Sequence, residues 1–143
     1  MILDSANAKR LILYFMYDKD GIVDDYVPYM LRELKKNSTE ILVVCNGKLT
    51  RESREKLQEV TPNVLVRENK GFDVWAYKTG LEYYGWDKIR SFDEVIMMNF
   101  TIMGPVYPLE EMFKTMDQRD LDFWGITMFH EYKEGDPFGT IPY

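Results

Sequence analysis

Leu11-Ile12-Leu13-Tyr14-Phe15-Met16-Tyr17 is a continuous apolar run without the alternation of a half-buried strand. It predicts a strand buried on both faces. Asp18-Lys19-Asp20-Gly21 ends it. Val23, Val27, Met30, Leu31 and Leu34 then recur at helical spacing, with Asp24 or Asp25 as N-cap. Pro28 is tolerable only in the first turn of that helix. Ile41 to Cys45 predicts a second strand ended by Asn46-Gly47, and Thr50 caps a more polar helix from Arg51 to Val60. Asn63 to Arg67 reads as a short third strand. A third helix follows, with Asp73 as N-cap and Gly85 as its stop. Val95 to Met98 is the fourth strand, and Asn99 to Tyr107 is a loop containing Gly104-Pro105. Pro108 is placed as the N1 proline of a last helix. Glu110 and Glu111 fall in its first turn, and Leu109, Met112, Phe113 and Met116 face the core. Asp122 to Phe129 predicts a fifth strand.

Strands alternating with helices define an α/β fold, a three-layer αβα arrangement around a mainly parallel sheet. The 143 residues suit one domain with a real core. Ligands of such sheets bind outside the carboxyl ends of the strands, near the switch in strand order. Polar side chains fall just after those ends: Asp18, Asn46, the Asn69–Asp73 run, Asn99 and Thr101. After His130 the chain is rich in Glu, Lys, Gly, Asp and Pro and shows no finishing element, as expected of a fragment of something longer.

Composition narrows the partners. A net charge of −6 argues against nucleic acid, which calls for clustered Lys and Arg, and against unassisted docking on an anionic membrane. Cys45 is the only cysteine and lies in an apolar run, as a buried thiol in a reducing compartment does. Met1 to Arg10 is polar and mixed rather than a signal peptide, and the apolar runs are shorter than a membrane span. A cytoplasmic protein or domain is the expectation.

The chain carries no G-x-x-x-x-G-K-[ST] phosphate loop, no G-x-G-x-x-G fingerprint and no G-x-S-x-G elbow. One His and one Cys do not make an ordinary zinc site or Cys–His pair. The most informative run is Asn69 to Glu82, which sets Asn69, Lys70, Gly71 and Asp73 at a strand-to-helix junction. Backbone N–H groups and the positive end of a helix meet there, a natural place for a phosphorylated ligand. Each residue also has a plainer reading. Asp73 caps a helix, Lys70 is a solvated lysine, and Asn69 takes a turn conformation. Asp18 and Asn46 end strands. Trp124 reads as core, with a sugar contact as the alternative. His130 reads as a surface or satisfied histidine, with a metal ligand as the alternative. Tyr83, Tyr84 and Trp86 are expected to cover one sheet face. Glycosyl transfer fits this inventory. It requires a held nucleotide sugar, an offset for charge on the diphosphate leaving group, and a base near the acceptor hydroxyl.

Glu40 to Gly47 resembles the second strand and nucleoside-contacting turn of GT-A nucleotide-sugar transferases. Glu68-Asn69-Lys70-Gly71 with Ala76 and Gly80 resembles their third-strand motif, where small helix residues let the backbone approach the nucleotide. A closer resemblance is to the rhamnan synthesis protein F family. It rests on Asn69-Lys70-Gly71-Phe72-Asp73 with Ala76-Tyr77 and Gly80-Leu81. It continues through Asn99-Phe100-Thr101, Gly104-Pro105 and Tyr107-Pro108-Leu109 to Asp122-Phe123-Trp124-Gly125-Ile126-Thr127. Leu11 to Asp18 is similar to the family's opening strand.

The resemblance implies a GT-A-like nucleotide-binding half and a glycosyltransferase of bacterial cell-wall or surface-polysaccharide assembly. It implies deoxythymidine-diphosphate rhamnose as donor and a polysaccharide or lipid-linked acceptor. The inner face of the bacterial membrane would be reached through other regions or partners. Asp18, Asn46, Asn69 and Asp73 are then expected to cradle the nucleoside, with Gly71 in the same wall. Lys70, Asn99 and Thr101 face the diphosphate and sugar. No catalytic base stands out, Asp122 and Glu131 being weak candidates. Many family members read Asn-Asp-Ser where this chain has Asn99-Phe100-Thr101. That position resembles the site that holds Mg²⁺ or Mn²⁺ on the diphosphate, and Phe100 offers no ligand. Two other readings stand beside this one. The first is a non-catalytic nucleotide-sugar-binding or scaffold domain, favoured by Phe100. The second is a flavodoxin-like interaction domain, hinted at by Asp18, Asp20, Asp24 and Asp25.

Overall fold

The computed structural model describes residues 1–126. Four strands and four helices alternate: β1 (Arg10–Asp18), α1 (Tyr26–Lys35), β2 (Glu40–Gly47), α2 (Arg51–Gln58), β3 (Val64–Arg67), α3 (Phe72–Ile89), β4 (Glu94–Asn99) and α4 (Glu110–Asp117). The strands form one sheet in the order β3-β2-β1-β4, every pair parallel. This is the expected α/β class. The switch in strand order lies between β1 and β4, since β2 and β3 are added on one side of β1 and β4 on the other.

The unbroken apolar run of β1 is explained by its central place. Ile12, Tyr14 and Met16 pack with Val27, Met30, Leu31 and Leu34 of α1 and Leu57 of α2. Leu11, Leu13 and Phe15 pack on the opposite face with Ala76 and Ile89 of α3. Successive strand side chains point to opposite faces, so one strand feeds both cores. Gly80 permits close approach of α3: a Cβ there would stand 3.0 Å from the Leu13 side chain. Ala76 is fully buried beside it. The small face of α3 therefore meets β1, not a nucleotide as the GT-A resemblance implied.

Several local expectations hold. Thr50 caps α2, its hydroxyl accepting from the Ser53 N–H at 3.1 Å. Pro28 sits in the first turn of α1, and Glu110 and Glu111 open α4. Burial pushes the Cys45 thiol up to about 12, as for an inert core thiol.

Others are corrected. Asp25 occupies the N-cap position of α1 but makes no capping bond; its carboxylate takes the Lys56 ammonium at 3.0 Å instead. Asp73 lies inside α3, and the N-cap position belongs to Gly71. Gly85, at φ +71°, is non-helical and stops the first helical run of α3 as expected; what the sequence did not announce is a second run that follows directly and buries Ile89. Pro108 lies ahead of α4 rather than at its first position. Tyr84 packs against the sheet, whereas Tyr83 and Trp86 point outward and are exposed. Asp122–Ile126 is not a strand. The remainder of that expected strand, with His130 and Glu131, lies outside the described residues. Among the described residues, no helix is long and apolar enough to cross a membrane.

Candidate functional site

The register of the sheet sets the polar residues at its carboxyl edge. Asp18 is level with Gly47, and Asn46 with Tyr17 on one side and Arg67 on the other. β4 is shorter: Asn99 is level with Phe15, three residues below Asp18, a step of about 10 Å. The edge thus has a high side, formed by β1, β2 and β3, and a low side at β4.

Asn46 organises the high side. It is completely buried, and its amide is fully engaged. Nδ2 donates to Asn69 Oδ1 at 3.3 Å and to the Phe72 carbonyl at 3.2 Å. Oδ1 accepts from Arg67 Nη1 at 2.7 Å, and the same nitrogen reaches the Lys70 carbonyl at 3.0 Å. Two side chains from the strand ends therefore hold the loop that leads into α3. Within that loop Gly71 has φ +69° and Phe72 φ +51°. Trp75 buttresses the turn: a Cβ on Gly71 would lie 2.2 Å from its indole ring. Lys70 Nζ stands 5.3 Å from the centroid of the same ring. Asp73 is half-buried, its Oδ1 accepting from the Val74 N–H at 2.9 Å.

Asp18 closes the turn after β1. Its Oδ1 accepts from the Asp20 and Ile22 N–H groups, both at 2.9 Å. Those backbone donors, Ile22 foremost, hold its carboxyl below the usual aspartate range. On the low side, Asn99 Oδ1 accepts from the Thr101 N–H at 3.2 Å and from the Thr101 hydroxyl at 2.5 Å. Phe100 turns inward between them. It contacts both apolar clusters and meets the Phe15 ring edge-on at 6.0 Å. Its N–H continues the ladder to the Phe15 carbonyl, and its own carbonyl accepts from the Tyr26 hydroxyl at 2.9 Å.

The structure thus brings Asn46, Asn69, Lys70, Gly71 and Asp73 together and aligns Asp18 beside them. Asn99 and Thr101 pair with each other on the other side of β1. A divalent metal finds poor ligands on that low side. Asn99 and Thr101 offer neutral oxygens already bonded to one another, and Phe100 belongs to the core. No group of three or more His, Cys, Asp or Glu is gathered for a metal among the described residues.

Trp124 packs as a largely structural residue, in line with its reading as core rather than as a sugar contact. Trp124 donates its indole N–H to Glu94 Oε1 at 2.6 Å and meets Phe113 edge-on at 6.0 Å. Glu94 opens β4, so Trp124 stands at the amino edge, remote from the candidate site, and Asp122 is tethered two residues from it. From the sequence Arg67 is only a strand end and Phe72 only a motif residue. A cation closing a strand immediately before an Asn-x-Gly turn is the signal that points to Arg67.

Comparisons with curated proteins and with solved structures give no match to this chain. The sequence model of the family described as rhamnan synthesis protein F matches residues 41–142, which take in β2, the Asn46-held loop, β4 and α4. That span is more than half of the chain, and the chain belongs to the rhamnan synthesis protein F family.

Proposed function

We propose that the protein is a glycosyltransferase that moves a sugar from a nucleotide-sugar donor during bacterial cell-wall or surface-polysaccharide assembly. The observation that carries this reading is the loop Asn69–Asp73, gathered by the buried Asn46 at the carboxyl edge of an all-parallel sheet. Such an edge is where α/β sheets take nucleotides. Family membership supports a role in rhamnan synthesis; in this reading the sugar is rhamnose and deoxythymidine-diphosphate rhamnose is its donor. The acceptor is a polysaccharide or lipid-linked saccharide, and the reaction is cytoplasmic, at the inner membrane face.

In this reading Asn69 and Asp73 meet the nucleoside from the high side of the edge, and Gly71 lets its backbone come close. Asn46 and Asp18 shape that wall through the loops they close. Lys70 supplies positive charge toward the diphosphate, and Asn99 and Thr101 contribute neutral donors across β1. Such preorganised donors stabilise the leaving group as its charge grows. The chemistry of the Asn99–Thr101 turn supports charge compensation without Mg²⁺ or Mn²⁺.

A non-catalytic nucleotide-sugar-binding domain is the second reading. Phe100, seated in the core where a metal carboxylate is expected, favours it. A thermal-shift series with nucleoside diphosphates and nucleotide sugars, with and without Mn²⁺, tests both readings, because a ligand of the folded state raises the midpoint. Stabilisation by a nucleotide sugar is expected with or without Mn²⁺. Silence from every nucleotide sinks both readings and leaves the flavodoxin-like interaction domain. Binding without donor turnover leaves only the second.

A further inference from the structure

We propose that Phe72 is the surface on which the flat base of the bound nucleotide rests, with Asn46 and Arg67 as the residues that position it. The inference rests on the nucleotide-binding reading above and adds a contact to it. Phe72 combines two features that a purely structural residue avoids. Its φ of +51° is in the left-handed region, where a bulky side chain is disfavoured. Its ring is also 81% exposed and belongs to neither apolar cluster. Packing among the described residues therefore does not account for the ring.

The surroundings nevertheless enforce this conformation. Asn46, without solvent exposure, spends one N–H on the Phe72 carbonyl at 3.2 Å. Arg67 bridges Asn46 Oδ1 and the Lys70 carbonyl, fixing the peptide that leads into Gly71. The Trp75 indole fills the space that a Cβ on Gly71 would need. An unfavourable backbone held from three directions, displaying an unburied aromatic ring, points to a ligand contact.

The neighbouring polar groups suit a base. Asn69 accepts from Asn46 through Oδ1, which leaves its amide N–H groups as donors. Asp73 uses Oδ1 on the Val74 N–H and retains Oδ2 as an acceptor. A donor and an acceptor on either side of Phe72 along the chain suit the hydrogen-bonding edge of a nucleobase, and the exposed ring suits its π-face. Asn46 and Asn99 lie on strands two spacings apart, about 10 Å. A base at Phe72 thus leaves the diphosphate directed toward Lys70 and the Asn99–Thr101 turn.

The test is Phe72→Gly, in which glycine adopts the left-handed backbone freely and only the ring is lost. Thermal midpoint and affinity are measured with deoxythymidine diphosphate, guanosine diphosphate and base-free pyrophosphate. The midpoint without ligand is expected to hold or rise. Affinity for the nucleoside diphosphate that binds the unaltered protein is expected to fall about tenfold, with Phe72→Tyr retaining it. The response to pyrophosphate is expected to stay unchanged. Arg67→Gln is expected to show the same selective loss, with faster amide exchange in residues 69–75. Unchanged nucleotide affinity in Phe72→Gly overturns the assignment and spares the nucleotide reading. A sharp fall in its midpoint overturns it too, by making the ring structural. An unaltered protein that binds neither nucleoside diphosphate overturns both.

Discussion

At the amino edge of the sheet Arg10 lies buried between Glu94 and Asp117; at the carboxyl edge Lys70 lies exposed above Trp75. The two edges treat charge in opposite ways. Arg10 donates through Nε to Glu94 at 2.7 Å and through Nη2 to Asp117. Its guanidinium stacks over the Phe113 ring at 4.8 Å. Asp117 also takes the Ser5 hydroxyl, and Glu94 the Trp124 indole N–H. The amino edge is a closed network that ties the N-terminal segment, β1, β4, α4 and the Trp124 segment together. The carboxyl edge keeps a left-handed Phe72, exposed aromatics and polar groups with unused valences. Buried ion pairing is concentrated at one edge, and exposed polar groups are left at the other.

Breaking the closed edge is therefore expected to have the largest effect. Arg10→Ala leaves Glu94 and Asp117 without their cation in a buried setting, which costs about 3–5 kcal/mol in comparable pairs. Urea unfolding would read this as a large drop in midpoint. A loss under about 1 kcal/mol, the range of exposed ion pairs, would erase the contrast between the edges. Nucleotide binding by the molecules that remain folded is expected to be unaffected, because the network lies a full strand length from the loop.

Gly71→Ala is the next largest and strikes the open edge. A left-handed φ of +69° costs an alanine about 1–2 kcal/mol. The new methyl would also meet the Trp75 ring at 2.2 Å, so the indole must move and release Lys70. The expected outcome is a moderate loss of stability together with a loss of nucleotide affinity. Calorimetry and thermal melting on one sample distinguish this from Arg10→Ala, where only stability falls. Unchanged binding in Gly71→Ala would mean that the shape of the loop is unimportant to the site.

These two sites differ in how far the chain announced them. The core was legible because periodicity reports burial. The run of β1 and the helical spacing of α1 translate directly into the two apolar clusters. The carboxyl edge was legible as a place, since Asp18, Asn46, Asn69–Asp73 and Asn99 follow strand ends. Its geometry was not. The conformation of Phe72 is decided by Asn46, 26 residues earlier, and local propensity does not encode that bond. Nor does the sequence say to which end of the sheet the chain returns after α4. Phe123 and Trp124 look like strand residues, yet Trp124 is used against Phe113 and Glu94.

Tyr14 lies midway between the edges, on β1. Its hydroxyl is buried without a hydrogen-bond partner among the described residues, and desolvation pushes its pKa upward. A buried, unsatisfied hydroxyl costs about 1–3 kcal/mol in desolvation. Tyr14→Phe should thus hold or raise the thermal midpoint, unlike either edge variant. A clear destabilisation would show that the hydroxyl has a partner and that the centre of the sheet is polar.

The smallest expected effect is the pH dependence contributed by Asp18. Its folded carboxyl titrates below the ordinary aspartate range, chiefly because the Ile22 N–H bonds the charged form. The sign follows from linkage. A depressed folded-state pKa contributes stability that is fully present above the unfolded value of about 4. That contribution is lost as pH falls through the folded value. Asp18→Asn should therefore be less stable than the unaltered protein at neutral pH, with the gap closing on the acid side of about pH 4. The carboxyl is partly open to water, so screening keeps the gap well below that of Arg10→Ala. Chemical unfolding of both proteins at a series of pH values measures it. A gap that persists into acid would show that Asp18 acts through the shape of its turn rather than through its charge. The turn after β1 would then owe its form to neutral hydrogen bonds rather than to charge, and the contrast with the charge-locked amino edge would be sharper still.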